Sequence, residues 1–244
     1  MKIKERIDNK LNYKLSCKIK LLERVEFYKK LFTENDLVFD IGANHGNRVD
    51  PFLKIGAKVI AIEPNPKLAK KLEKKYGDKI DVVQKAIGEK DGVINLYINN
   101  TDALSTTSKE FIEKAKLTNR FGELSNQFNQ TVEVEMVSID KLFNKFGYPI
   151  FMKIDTEGLE YIILKTLKNN KVSGLSFEFA IPETLDEVIL SIEHLNDIGY
   201  KQFNIVFGES TTFISNKNMF FLDLINLIKQ LPEMSWGDIY AFNK

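Results

Sequence analysis

An apolar run that ends in acids, Phe151-Met152-Lys153-Ile154-Asp155-Thr156-Glu157-Gly158-Leu159-Glu160, can carry carboxylates on a buried strand to the top of a sheet. Open α/β proteins hold their ligands there, beyond the carboxyl ends of the strands. A carboxylate so placed can take a proton from a reacting hydroxyl. The same residues also suit a helix start, with Asp155 or Thr156 as cap and Glu157 in the first turn. Asp155 can fill both roles and is the first candidate for catalysis. Glu157 is the reserve.

A second stretch, Val38-Phe39-Asp40-Ile41-Gly42-Ala43-Asn44-His45-Gly46, has the form of a strand entering a glycine-bearing turn before a helix. Glycine there lets a nucleotide-like ligand approach the strand end closely. The spacing Gly42-x-x-x-Gly46 is not the denser glycine turn that supports a pyrophosphate, which argues against NAD or FAD. Asp40 offers a carboxylate, better suited to an ammonium or sulfonium than to a phosphate. A third stretch, Val59-Ile60-Ala61-Ile62-Glu63-Pro64-Asn65, ends a second strand on an acid 21 residues after Gly42. Acids at about that spacing hydrogen-bond ribose hydroxyls. Pro64 is expected to end the strand and start the next helix.

These segments need a scaffold, and the hydrophobic pattern supplies one. Strands are expected at 37–41, 58–63, 80–84, 150–154, 175–179, 202–207 and 239–242, with helices at about 47–55, 66–76, 157–168, 183–198 and 218–231. Alternation of strand and helix implies a parallel sheet with right-handed crossovers. Val93–Ile98 and Thr131–Val137 alternate apolar and polar residues, as half-exposed strands that pair beside the main sheet would. Between them, residues 99–130 form a polar, lid-like insertion with one helical stretch near 109–117. Ile3, Ile7, Leu11, Leu15, Ile19, Leu22 and Val25 recur at helical spacing. Residues 1–35 therefore form an amphipathic arm, and 36–244 the catalytic domain. The stripe suits packing on the domain or on a second copy, and a homodimer through it is the expected assembly.

Composition narrows the classes. Of the 244 residues, 43% are hydrophobic and 28% charged, an ordinary globular balance. Residues 1–30 carry ten Lys/Arg against four Asp/Glu, so the remainder is net acidic and unlike a nucleic-acid-binding surface. One cysteine, Cys17, rules out an internal disulfide framework, and with two histidines a conventional zinc site is disfavoured. No apolar run is long enough to span a bilayer, and the lysine-rich start lacks the pattern of a secretory signal. A cytoplasmic location is expected.

The ordered set Asp40-Ile41-Gly42-Ala43-Asn44-His45-Gly46, Glu63-Pro64, Val137-Ser138-Ile139-Asp140 and Lys153 to Glu160 resembles the FkbM family of methyltransferases over roughly residues 36–180. The resemblance implies a Rossmann-like class I fold, three-layer αβα. Its mostly parallel seven-stranded sheet has the order 3-2-1-4-5-7-6, with an antiparallel last strand. It also implies S-adenosylmethionine as cofactor and O-methylation of a sugar, glycan or other small molecule. Asp40, Gly42, Asn44 and Gly46 would then surround the methionine part, and Glu63 would hold the ribose. Pro64 and Asn65 would flank the adenosine, and the turn Gln84-Lys85-Ala86-Ile87 would border the adenine. Asp155 would face the acceptor. Leu104-Ser105-Thr106-Thr107 matches the family's serine-rich loop only in part, and the sequence after about residue 208 departs from the family core.

Methyl transfer is an in-line displacement that needs an aligned oxygen and an acceptor for its proton. Asp155 is expected to be that base or to orient it. Asp155, Glu157 and Glu178 are oxygen donors that could hold a divalent cation. Capping and strand-end placement explain them without one, so no metal is expected. His45 and Trp236 are candidates for the pocket wall, whereas His194 is expected to be structural. An RNA or protein methyltransferase, or a non-catalytic cofactor-binding or partner-binding module, is the alternative.

Overall fold

The structure, a computed structural model, describes residues 2–243, with side chains described from residue 15 onward. Seven strands form the central sheet: β1 (Leu37–Ile41), β2 (Lys58–Ile62), β3 (Ile80–Val83), β7 (Phe151–Ile154), β8 (Gly174–Ala180), β9 (Gln202–Phe207) and β10 (Trp236–Phe242). Their spatial order is β3-β2-β1-β7-β8-β10-β9. Counted within this sheet alone, that is the expected 3-2-1-4-5-7-6. The numbers differ only because three strands of a smaller sheet intervene in the chain. β10 is antiparallel to both of its neighbours, and the remaining pairings are parallel.

The smaller sheet has the order β4-β6-β5, from Ala86–Gly88, Phe128–Ser138 and Gly92–Asn99. β5 and β6 pair antiparallel as their alternation predicts, with Leu96 opposite Val132. β4 was expected to be a turn and is instead a short strand beside β6. Three residues are too few for a period to show. The polar insertion holds its expected helical stretch as α4 (Lys109–Thr118), flanked by 3-10 turns at Asp102–Leu104 and Gly122–Asn126.

Successive residues of a strand point to opposite faces, so the two faces of the large sheet can differ completely. One face (Phe39, Ile41, Met152, Ile154, Phe177, Ile239) is apolar and packs on α5 (Ile139–Phe146), α6 (Glu160–Leu164), α7 (Leu185–Asp197) and α8 (Phe221–Ile228). The other packs on α2 (Val49–Ile55), α3 (Pro66–Tyr76) and the end of α1 (Lys2–Tyr28) through Val38, Val59, Phe151 and Tyr240. Toward its carboxyl edge this second face turns polar, with Asp40, Lys153 and Asp238 all buried.

Phe27, Tyr28 and Phe32 lie inside this core, against Phe52, Phe151 and Tyr240. The end of α1 is therefore part of the domain's packing. Leu15, Ile19 and Leu22 of the same stripe stay 45–55% exposed. Ile3, Ile7 and Leu11 lie outside the residues whose side chains are described. Among the described residues no helix is long and apolar enough to cross a membrane.

α3 spans Pro66–Tyr76 as expected, and Pro64 only ends the strand, because the Asn65 side chain accepts from Lys67 N at 3.0 Å and caps the helix. The start of α6 does differ from expectation. α6 spans only Glu160–Leu164, so neither Asp155 nor Thr156 is its cap. The Glu160 carboxylate instead accepts from the backbone N–H groups of Thr156 (2.6 Å) and Gly158 (2.9 Å). Glu157 stands outside the helix at φ 57, a left-handed conformation that L side chains rarely adopt.

Candidate active site

A cleft of about 590 Å³ opens where the carboxyl ends of β1, β2, β7 and β8 meet the insertion. Its first half is built from the turns after β1 and β2. Gly42 adopts φ 81 and sits so close to β7 that a Cβ there would lie 1.7 Å from the Asp155 carbonyl oxygen. Glycine is thus required by backbone meeting backbone, which ties the first turn to the loop after β7. Glu63 is buried, and its two oxygens accept from Asn44 N and Asn65 N, each at 2.8 Å. Burial, only partly offset by those hydrogen bonds, pushes its carboxyl up to about 7. Asp40 is 2% exposed and its Oδ2 has no hydrogen-bond partner. Burial pushes this carboxyl up to about 6, against the pull of Lys153 and Arg48.

The second half is built around Lys153, a fully buried lysine in an otherwise apolar strand. Its Nζ lies 3.0 Å from Asp155 Oδ2 and 3.1 Å from Asp238 Oδ1. Those two carboxylates outweigh desolvation and hold the ammonium well above its ordinary range. Oxygens of Asp155, Glu157 and Glu178 all lie within 4.8 Å of one another. Burial, then neighbouring Asp155 and Glu160, holds Glu157 well above the usual carboxylate range. Glu178 is raised in the same way by burial and then by Glu157 and Asp155.

The insertion roofs both halves. Asn44 Nδ2 donates to Asp102 O at 3.1 Å on the first side, and Thr106 Oγ1 donates to Glu157 O at 2.6 Å on the second. Arg120 pairs with the buried Glu183 at 2.6 Å and also donates to the carbonyl of Ile181.

The sequence matches the methyltransferase FkbM domain family over residues 40–233, well over half of the chain. The chain belongs to this family. It is therefore a methyltransferase, and its fold is the Rossmann-like one. Among solved structures it is similar to precorrin-6y C5,15-methyltransferase from Geobacter metallireducens GS-15, at 14% identity and TM-score 0.45, covering 91% of this chain and 87% of that one. It is also similar to magnesium protoporphyrin IX methyltransferase from Synechocystis PCC 6803, solved with bound SAM, at 10% identity and TM-score 0.46, covering 97% and 82%. A third is Aeropyrum pernix fibrillarin in complex with S-adenosyl-L-methionine, at 11% identity and TM-score 0.43, covering 86% and 67%. No curated protein matches the sequence.

On the wall of this FkbM-family cleft lie the expected Asp40, Gly42, Asn44, Glu63, Pro64, Ala86, Asp155 and Glu157, together with His45 and Trp236. Four expected residues do not line it, Gln84 among them. Gly46 (φ 79) is packed under Tyr76, whose hydroxyl donates to the Gly46 carbonyl at 3.0 Å. Asn65 is spent on capping α3 and on holding Glu63. Lys85 reaches out to Glu135 at 2.5 Å across the small sheet. His194, as expected, is structural, with Nε2 3.0 Å from Leu167 O.

Sequence reasoning gave no role to Lys153, Asp238, Arg48, Arg120, Glu183 or Glu209. Lys153 and Asp238 did carry a signal, since a charge within an apolar interior strand requires a buried counter-charge. Arg48 and Glu209, 2.9 Å apart in space, carried none.

Proposed function

We propose that the chain binds S-adenosylmethionine in the half of the cleft formed by the β1 and β2 turns. It transfers the methyl group to a hydroxyl of a small molecule, sugar or glycan in the other half. The observation that carries this reading is one continuous cleft with Glu63 and Asp40 at one end and Asp155 at the other. The residues fit the cofactor. Glu63 is fixed by two backbone donors and keeps lone pairs for ribose hydroxyls. Asp40 Oδ2 is a buried acceptor without a donor, suited to the positively charged methionine end. Ala86, Ile87 and Leu96 give an apolar wall for the base.

When bound, the cofactor supplies a methyl group already activated by its sulfonium. The chain's own residues then align the acceptor and receive its proton. Alignment is worth on the order of 7–11 kcal/mol in well-oriented systems, and a general base adds roughly 10²–10⁴-fold. Asp155 is the base, because Lys153 fixes Oδ2 and leaves Oδ1 to face the acceptor. Among the described residues Glu157 has no such partner to fix it and is the reserve, its carboxyl held above the usual range by burial and then by Asp155 and Glu160. The same reading takes the enzyme to be cytoplasmic, and the exposed Leu15, Ile19 and Leu22 favour pairing with a second copy.

Calorimetric titration with S-adenosylmethionine and S-adenosylhomocysteine, with NAD as control, tests the cofactor. Micromolar binding that weakens about 100-fold in Glu63→Ala is expected, since charge-assisted hydrogen bonds are worth about 1.5–3 kcal/mol each. A folded chain that binds neither compound would point to the non-catalytic alternative.

A further inference from the structure

We infer that Trp236 selects the acceptor, by stacking its exposed indole on the C–H face of a saturated, hydroxylated ring. The acceptor is then a ring sugar or cyclitol, not an open-chain alcohol or a phenol. The inference deepens the proposed function and rests on it. It starts from where the chain puts its single tryptophan. β10 runs antiparallel to β8, so its amino end lies at the carboxyl edge of the parallel strands, with Trp236 paired to Ala180, the last residue of β8. Alternation along β10 puts Trp236 on the same face as Asp238, the counter-ion of Lys153. It thus reaches the cleft wall on the side of the sheet that holds the proposed base.

Phe27, Tyr28, Phe151 and Tyr240, on that side of the sheet, meet ring to ring and are buried. Trp236 is 43% exposed. A lone aromatic on open surface needs no explanation, but this one lines a cleft and is held there. Met234, two residues before it, takes φ 67, a left-handed conformation that persists in such a residue only when its surroundings fix it. Its N–H donates to Ile181 O at 2.8 Å, and its carbonyl accepts from Arg120 of the insertion at 3.4 Å. Ser235 O accepts from Ile181 N at 2.8 Å, and Trp236 O from Gly208 N at 2.9 Å. Gly208 also lies against the indole, where a Cβ would stand 3.4 Å from the ring. The segment is therefore tied to the exit of β8, to the insertion and to the loop after β9.

That build decides what binds well. A tryptophan held in this way offers a large, rigid contact area at low entropic cost, and the carbon face of a saturated ring buries apolar surface on it. Glu209, next to Gly208, and Asn47 on the same wall offer polar groups for hydroxyls at the ring's edge. A phenol would use the indole and leave those groups unanswered. An open-chain polyol would use them and leave the indole bare. A hydroxylated saturated ring answers both. Size agrees: β7, which leads into Asp155, and β10 are two strands apart in the sheet, about 10 Å at the usual spacing. A ring can rest on Trp236 and still present a hydroxyl to Asp155, whereas a short alcohol at Asp155 leaves the indole untouched.

The test uses the full chain saturated with S-adenosylhomocysteine. Trp236 is the only tryptophan, so its emission reports on this position alone. The probes are methyl hexosides and inositols, set beside hexitols and simple phenols. A saturable emission change with at least one ring compound, and none with the hexitols, is expected. That compound should accept radiolabelled methyl from S-adenosylmethionine. Trp236→Ala should raise its KM at least tenfold with kcat and S-adenosylhomocysteine affinity nearly unchanged, and Trp236→Phe should recover most of the loss. Ring compounds that leave the emission unchanged or accept no methyl overturn the inference while the cofactor reading stands. So does equal or better transfer to hexitols or phenols, or a Trp236→Ala variant with the parent's KM. A folded chain that binds no S-adenosylhomocysteine fails at the earlier step and takes the inference with it.

Discussion

The two halves of the cleft satisfy their polar groups in different ways. In the cofactor half the acid at its centre is held by partners near in sequence, Glu63 by the backbone of Asn44 and Asn65, and Asn65 in turn by Lys67, while Asn44 reaches Asp102 only through the roof. The acceptor half adds distant partners to the local Lys153–Asp155 pair, with Lys153 meeting Asp238 from 85 residues away and Arg48 meeting Glu209 from 161. A local site needs only a strand and its turn to be correct. A long-range site needs the whole sheet, and it can be re-specified by changes in any of several segments.

Removing Lys153 should have the largest effect and would break the comparison most directly. Lys153→Met leaves the buried Asp238 and the half-buried Asp155 without a counter-charge, and a loss of about 3–5 kcal/mol is expected. Chemical denaturation checks it, and an unchanged midpoint would mean that the acceptor half is held by something else. Next, Asp155→Asn should lower turnover on an accepted hydroxylated compound by about 100-fold or more. Cofactor affinity, read by calorimetry, should change little, and a matching fall in both would merge the two halves into one functional unit.

Asp40→Asn acts on the other side of the cleft. With its carboxyl raised to about 6 by burial, Asp40 favours the folded state at low pH. That contribution is lost as pH rises from the unfolded value through about 6, a difference of up to about 3 kcal/mol. The variant should therefore be more stable than the parent at pH 8 and equal to it near pH 4, while binding the cofactor less well. Thermal melts at both pH values decide it. The smallest expected change is Tyr76→Phe, which removes hydrogen bonds to the Gly46 carbonyl and Asp50. About 1 kcal/mol of stability should go, with cofactor affinity nearly intact, because Gly46 is off the cleft wall.

The same local-against-distant divide decides what could be read in the sequence. Strand positions and the pairing of β5 with β6 follow from apolar runs and alternation, which are local patterns, whereas the sheet order came from the family resemblance alone. Glu63 was found because its place at a strand end is itself local. Gly42 was found for an incomplete reason: its partner in space is the Asp155 carbonyl, and nothing near residue 42 announces residue 155. The start of α6 was misplaced because Glu160, four residues downstream of Thr156, took over the capping that Asp155 or Thr156 was expected to provide. Arg120 and Glu183 were missed because neither is unusual where it stands in the sequence. Only the fold brings them to 2.6 Å.

The place of β10 bears on how the chain matures as it is made. It comes later in the chain than β9 yet lies between β8 and β9 in the sheet, so β9 has no other strand of that sheet to pair with. During synthesis, residues 202–207 must wait in the open until 236–242 emerge. Lys153 waits with them for Asp238, the second of its two counter-ions. The cofactor half, complete in sequence long before, can form on the ribosome while the acceptor half is unfinished. A nascent chain paused between these points would hold one half of its chemistry and not the other.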